Sequence, residues 1–338
     1  MPDVVLQADA VSVAYRVRGE RGRTVQAVQD VHLTLRRGEA LGLVGESGCG
    51  KSSFAHALVG LESASGEIVL SGERLAERRT RRQARLVQIV FQDPYASLNP
   101  RLTVGGALGE MLHVHRLRPR HEIPERVREL IDLVGLPERV LSARPAALSG
   151  GQRQRVAIAR ALALEPAVLI ADEPTTALDV SVQAVILDLF DELRRELGLG
   201  LLLITHNIAV VAAICDRVAV MYLGRIVEEG PTGSVLADPR HPYTRRLFSA
   251  VPRLGESAAV VPALHGDPPD PVRIPSGCPF HPRCPEATEH CAVVRPQPAV
   301  GPTAPNGASA TPHLAACHYA WQPAPTARAP GTSGQEGV

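Results

Sequence analysis

The sequence predicts an α/β fold with a mostly helical insert and a small Pro- and Cys-rich C-terminal extension, on three observations. Short, continuously apolar runs at Ala40–Val44, Val168–Ala171 and Leu201–Ile204 read as strands buried on both faces, as in parallel sheets. The segments between them space their apolar residues with a helical period. Proline gathers at one end: 17 of the 29 prolines lie in 252–338, where periodic patterning fades. The 338 residues therefore divide into a folded unit over about 4–250, an appendage over 251–322 and a disordered tail over 323–338.

Composition narrows the function. With 45% apolar and 21% charged residues the chain reads as soluble and globular, and a formal net charge of +1 disfavours a nucleic-acid binder working by bulk electrostatics. No apolar run approaches the roughly 18 residues that span a bilayer. The first ten residues lack the basic and apolar regions of a secretory signal, so a cytoplasmic chain is expected.

Taken in order, Val11, Val13, Tyr15 and Val17 alternate on one face of a strand. Ala40–Val44 then runs into a glycine-rich loop, with an apolar helix starting near Ser52. The helical insert is placed at about 93–160, and within it Val127, Leu130, Ile131 and Val134 mark an amphipathic helix over 121–135 with Pro124 near its start. A helical pattern over Arg153–Leu164 follows Ser149 as its N-cap. After the strand Val168–Ala171, a helix over 182–197 carries Val182, Val185, Ile186, Leu189, Phe190, Leu193 and Leu197 on its apolar stripe and stops at Gly198. Leu201–Ile204 is the next buried strand.

One count directs the search for chemistry. The chain has 35 arginines and a single lysine, Lys51, which lies in the glycine-rich loop. Arginine is a rigid planar fork, whereas lysine is a compact point charge on a thin stem. The loop, Gly45-Glu46-Ser47-Gly48-Cys49-Gly50-Lys51-Ser52 with Ser53 following, fits G-x-x-x-x-G-K-[ST] between a strand and a helix. Glycines there let successive main-chain N–H groups wrap phosphate oxygens at a helix N-terminus, Lys51 reaches the β/γ-phosphates and the Ser52 hydroxyl is suited to Mg²⁺. Cys49 is either an inert small residue or an oxidisable thiol, since a helix N-terminus lowers thiol pKa.

Asp172 and Glu173 end the strand Val168–Ala171, at the sheet edge where ligands of open α/β sheets bind. Asp172 is suited to hold Mg²⁺ through water and Glu173 to polarise an attacking water, the mutual repulsion of the pair being relieved by a cation. Leu148-Ser149-Gly150-Gly151-Gln152 offers a second helix end that an anion can approach.

Gly45–Ser52, Gln92, Leu148–Gln152, Asp172–Glu173, Ala177-Leu178-Asp179 and Thr205-His206 stand in the order and spacing of the ATP-binding-cassette (ABC) ATPases. The chain resembles that family over about 4–250. The resemblance implies a P-loop NTPase domain with an antiparallel β subdomain, ATP and Mg²⁺ as cofactors, and a head-to-tail pair of such domains. In that pair Leu148–Gln152 of one subunit closes over ATP on the loop of the other, and Asp179 communicates across the dimer. Tyr15 would stack on adenine, Gln92 would touch Mg²⁺ and the water, Glu173 would be the general base and His206 would hold the γ-phosphate. Implied partners are a second ABC ATPase subunit, identical or different, two transmembrane permease subunits and, indirectly, an extracytoplasmic solute-binding protein. The place implied is the cytoplasmic face of the cell membrane, without nucleic acid.

Two stretches narrow the resemblance. Phe91–Arg101, and Asp238–Thr244 with Ala250-Val251-Pro252, resemble the oligopeptide/dipeptide importer ATPases, particularly their F-type subunit. Importers of nickel, glutathione or oligosaccharides share these sequences. A non-transport ABC ATPase acting on nucleic acid or ribosomes is the rival, but such relatives usually carry a coiled coil or two cassettes, and this chain has neither.

Four of the six cysteines, Cys278, Cys284, Cys291 and Cys317, lie in the extension. Disulfides are disfavoured in the cytosol, and soft thiolates suit Zn²⁺ or an iron–sulfur cluster. His281, His313 and His318 compete as zinc ligands, and free thiols are the third reading. Gly277–Cys284 resembles the importer tail in which four such cysteines bind a [4Fe–4S] cluster, which would staple a segment too small to form a core.

Overall fold

A computed structural model describes residues 3–16, 23–176, 178–249, 269–301 and 311–322. Val17, Ala177, Ala250–Pro252 and the expected tail 323–338 lie outside the described residues.

Two sheets form the frame. The hairpin Val4–Arg16 and Thr24–Arg36 pairs with Ser65–Leu70 and then Glu73–Arg74 into a four-stranded antiparallel sheet. The larger sheet orders eight strands as Ala299–Val300, Leu314–Ala315, Arg225–Pro231, Arg217–Tyr222, Ala40–Val44, Gly200–Ile204, Val168–Asp172 and Val87–Val90. The last five are parallel, and the first three extend one edge antiparallel.

The apolar runs are strands because both faces are covered. Leu41, Leu43, Ile170, Leu202 and Ile204 point into a core shared with Phe54 and Leu58 and with Val11 and Val13 of the antiparallel sheet. Their alternates Val44, Leu169, Ala171, Leu201 and Leu203 face a second core with Val156 and Phe190. Sequence alternation is thus hidden in a parallel sheet, where each strand residue finds apolar company on one side or the other.

Helices follow their stop signals. Gly198 takes the left-handed conformation (φ 62°) that ends Val180–Leu197, and Pro124 stands in the first turn of Ile123–Leu133. Two members of the expected stripe on Val180–Leu197 face outward: Val185 and Leu197 are exposed, so the buried seam is narrower than the spacing implies. The helix after Ser149 spans Gly150–Leu162, starting three residues before the expected Arg153 because the glycines themselves are helical. Between residues 93 and 160 the other α-helices are Pro94–Ser97 and Val104–Val114.

The C-terminal segment packs onto the main sheet. Leu314–Ala315 pairs with Arg225–Pro231 in the main sheet, and Phe280 is fully buried among cassette residues. Too short for a core of its own, the segment borrows one. Among the described residues no helix is long and apolar enough to cross a membrane.

Candidate nucleotide-binding site

Ala40–Val44 delivers the chain to the sheet's edge, and the turn through Gly50 opens the helix Lys51–Val59. Gly50 has φ 108°, and a Cβ there would lie 2.1 Å from the Ala27 carbonyl oxygen, so the loop can pass beneath Thr24–Arg36 only as glycine. No side chain caps this helix, so its first amides remain free to receive an anion. Lys51 is buried and folds back over the loop, its Nζ donating to the carbonyl oxygens of Gly45 and Glu46 at 2.9 Å each. In front lies a cavity of about 310 Å³ walled by Ser47–Ser53, Gln92, Glu173 and Val25–Ala27.

Burial decides between the two readings of Cys49. Its thiol is buried, and desolvation raises its pKa by more than neighbouring Lys51 lowers it. Burial therefore favours the inert small residue over the oxidisable thiol.

Asp172 ends its strand buried, and the Ser52 hydroxyl donates to its Oδ1 at 3.2 Å. Burial pushes the Asp172 carboxyl pKa up against that hydrogen bond, and repulsion from Glu173 is a lesser cause than the sequence implied. The reason is a change of direction. Glu173 takes φ 46°, donates its N–H to the Ile204 carbonyl at 2.9 Å and leaves the strand. Its carboxylate receives the Thr176 hydroxyl at 3.1 Å and lies 3.4 Å from His206 Nδ1. Glu173 and His206 meet beside the cavity although 33 positions separate them. Ser52, Asp172 and Gln92 supply hard oxygen donors at this place, a set that fits a divalent cation. Tyr15 is half-buried and pairs across the sheet with the wall residue Val25, but is not itself part of the wall.

The second helix end stands apart from this cavity. Ser149 caps it in a reciprocal pair: its Oγ accepts the Gln152 N–H at 3.3 Å, and Gln152 Oε1 accepts the Ser149 N–H at 3.0 Å. Gly150 and Gly151 press against Leu178 and Val182, where a Cβ would lie 3.2 and 2.7 Å away. That contact joins the buried Leu148 segment to exposed Asp179, the N-cap of Val180–Leu197. None of Leu148–Gln152 lines the cavity. The loop 91–101 is tied to the same helix, with Arg153 over the Tyr95 ring at 5.6 Å and Arg160 donating to the Ser97 carbonyl at 2.9 Å.

Sequence reasoning missed the hold that Tyr243 and the extension's Arg283 have on the loop. Tyr243 Oη accepts the Glu46 N–H at 2.8 Å, and Arg283 pairs with the Glu46 carboxylate at 2.8 and 3.0 Å. The only signal in the sequence was the cluster of aromatic and histidine residues at 241–243 and 280–281.

The four extension cysteines are free thiols lining one small cavity of about 20 Å³. That is room for about one water. Burial raises the Cys278 thiol to about 11 and the Cys284 thiol to about 12. Among the described residues no three His, Cys, Asp or Glu side chains are grouped to hold a metal ion. The expected zinc or iron–sulfur site is thus not formed as such among the described residues, although the four thiols line one cavity.

A phosphate-gripping loop after a central parallel strand, facing acids at the end of a strand two places along the same sheet, defines the P-loop nucleoside triphosphatases. Residues 28–176 match the ABC transporter profile, and 227–291 match the C-terminal region of oligopeptide/dipeptide transporters. The probable peptide ABC transporter ATP-binding protein y4tS of Sinorhizobium fredii is 45% identical over 306 residues, 88% of this chain and 86% of that one. The oligopeptide transport ATP-binding protein OppF of Escherichia coli is 47% identical over 282 residues, covering 81% and 84%. Among solved structures, the dimeric ATP-binding cassette MJ0796 in a post-hydrolysis state bound to ADP and Pi is 29% identical with a TM-score of 0.59, over 67% of this chain and 98% of that one. The cbiO1 protein of Clostridium perfringens, part of the ABC transporter complex cbiONQ, is 30% identical with a TM-score of 0.61, over 70% and 92%. The chain belongs to the family of ABC transporter ATP-binding proteins.

Proposed function

We propose that this chain is the ATP-hydrolysing subunit that energises an ABC importer of di- and oligopeptides. The observation that carries the reading is the meeting of Glu173 and His206 at the cavity walled by the Lys51 loop. Loop amides and Lys51 grip the triphosphate, Glu173 orients the attacking water, and His206 holds Glu173 and the terminal phosphate in register. Ser52, Gln92 and Asp172 would hold Mg²⁺, which supplies neutralisation of phosphate charge when bound. Tyr15 stacking on the base, with Glu46–Ser53 around the phosphates, completes the nucleotide site.

The peptide substrate is taken from the naming of y4tS and OppF and from the matching C-terminal region. Separation of Leu148–Gln152 from the cavity supports a second ABC ATPase subunit whose signature segment shuts over this site. Two permease subunits would hold the pair at the cytoplasmic membrane face, with a solute-binding protein beyond them. The loop 91–101, braced by Arg153 and Arg160, is placed to carry motion between Gln92 and the permease. We further read 4–250 as the cassette with its insert at about 93–160, and 251–322 as the extension, whose four cysteines take up an iron–sulfur cluster or zinc. Convergence of free thiols in a segment with little core of its own supports this.

The test is Glu173→Gln in the assembled transporter. ATP binding is expected to persist while phosphate release falls by about 10²–10⁴-fold. Near-normal turnover would remove Glu173 from its role.

A further inference from the structure

Arg283 lies in the short 3-10 turn His281–Arg283, between Cys278 and Cys284. The turn is fixed from several sides: Cys278 N–H donates to the Cys291 carbonyl at 2.8 Å, Arg283 N–H to the Phe280 carbonyl at 3.0 Å, and Arg246 to the Arg283 carbonyl at 3.2 Å. The side chain, only 6% exposed, leaves the extension, and its guanidinium clasps the Glu46 carboxylate with both terminal nitrogens. Tyr222 backs it, with Oη 3.4 Å from one nitrogen and the ring 5.9 Å below. Paired forks of this kind are among the stronger charge-assisted hydrogen bonds, and Arg is suited to them where Lys is not.

Glu46 is thereby held at three points. Its carboxylate goes to Arg283, its N–H to Tyr243, and its carbonyl oxygen accepts Lys51 Nζ. The cavity wall begins at the next residue, Ser47, so the Glu46 carboxylate stays off it. Yet the chain's only lysine is in contact with the same residue's main chain. A Glu46 carboxylate without a partner would be an anion within a side chain's reach of Lys51, competing there with phosphate.

We propose that Arg283 is a positioning residue of the nucleotide site: it keeps the Glu46 carboxylate outside the phosphate cavity and so leaves Lys51 to the triphosphate. This rests on the reading that the loop and Lys51 grip ATP. The extension then contributes to nucleotide affinity without touching nucleotide.

The experiment measures Mg-ATP affinity and steady-state hydrolysis on the full-length chain. Arg283→Gln should raise Kd and KM for ATP about five- to thirtyfold while kcat stays within about threefold. Adding Glu46→Gln to that variant removes the competing charge and should recover most of the lost affinity, whereas a mere structural brace predicts further loss. Should R283Q fail to fold, R283K and E46Q/R283K supply the same cycle, with the smaller initial loss expected of a single ammonium. Unchanged KM in the Arg283 variants, or a double variant no tighter than the single one, overturns the proposal. A parent chain that binds no Mg-ATP overturns the nucleotide-site reading itself, and the role of Arg283 with it.

Discussion

His241 carries a proton-linked part of the stability. It is buried, its main-chain N–H donates to the Glu228 carboxylate at 2.8 Å, and its ring Nδ1 accepts the Tyr243 main-chain N–H at 3.0 Å, which sets the neutral tautomer with its proton on Nε2. Burial lowers its pKa from 6.5 to about 4, outweighing the attraction of Glu228. Between those pH values the unfolded chain binds a proton that the folded chain refuses, so stability is full above about 6.5 and falls as pH drops toward 4. The loss approaches roughly 3 kcal/mol. Urea midpoints at pH 7 and 4.5 should show it, and His241→Leu should reduce the pH dependence; a wild-type-minus-variant difference that does not change with pH would contradict the assignment. At this scale the residues of the phosphate loop and its acids were legible because motif and element agree. Arg283 was not, since its partner lies 237 positions away and nothing local marks the pair.

Elements were read most reliably where two signals coincide. The strand Ala40–Val44 is a buried apolar run leading into a glycine-rich loop, and Ser149 stands as an N-cap before a helical pattern. Val185 misled because periodicity alone cannot tell a seam residue from its neighbour one turn round the helix. The extension is the least legible element: with few regular turns of its own, its shape depends on Tyr222, Tyr243 and His241, which crowd around Phe280 at ring separations of 5.3 to 5.8 Å. Its cysteines make a prediction of their own. Anaerobically purified protein should show a broad visible charge-transfer band that is lost when Cys284→Ser is introduced. A colourless protein containing zinc would rank zinc first, and one without metal would leave four thiols and no cluster.

At the scale of the molecule, the sheet order gathers the proposed catalytic groups on one side. Parallel strands bring Lys51, Asp172 and Glu173 to one edge, while the insert carries Ser149 away to a different surface. The same sheet also has a boundary. Leu314–Ala315 covers Arg225–Pro231, with Glu228 opposite Ala315 and the Ala316 N–H donating to Val227 at 2.8 Å. Stripping the chain back to Ser249 would leave that strand as a bare border of unanswered peptide groups, which is a template for like molecules to add onto. Sedimentation of such a shortened chain should therefore show mass growing with concentration. A shortened chain that stays monomeric would mean the hairpin is ornament to the cassette, whereas self-adhesion would mark it as what keeps neighbouring subunits in solution from zipping together.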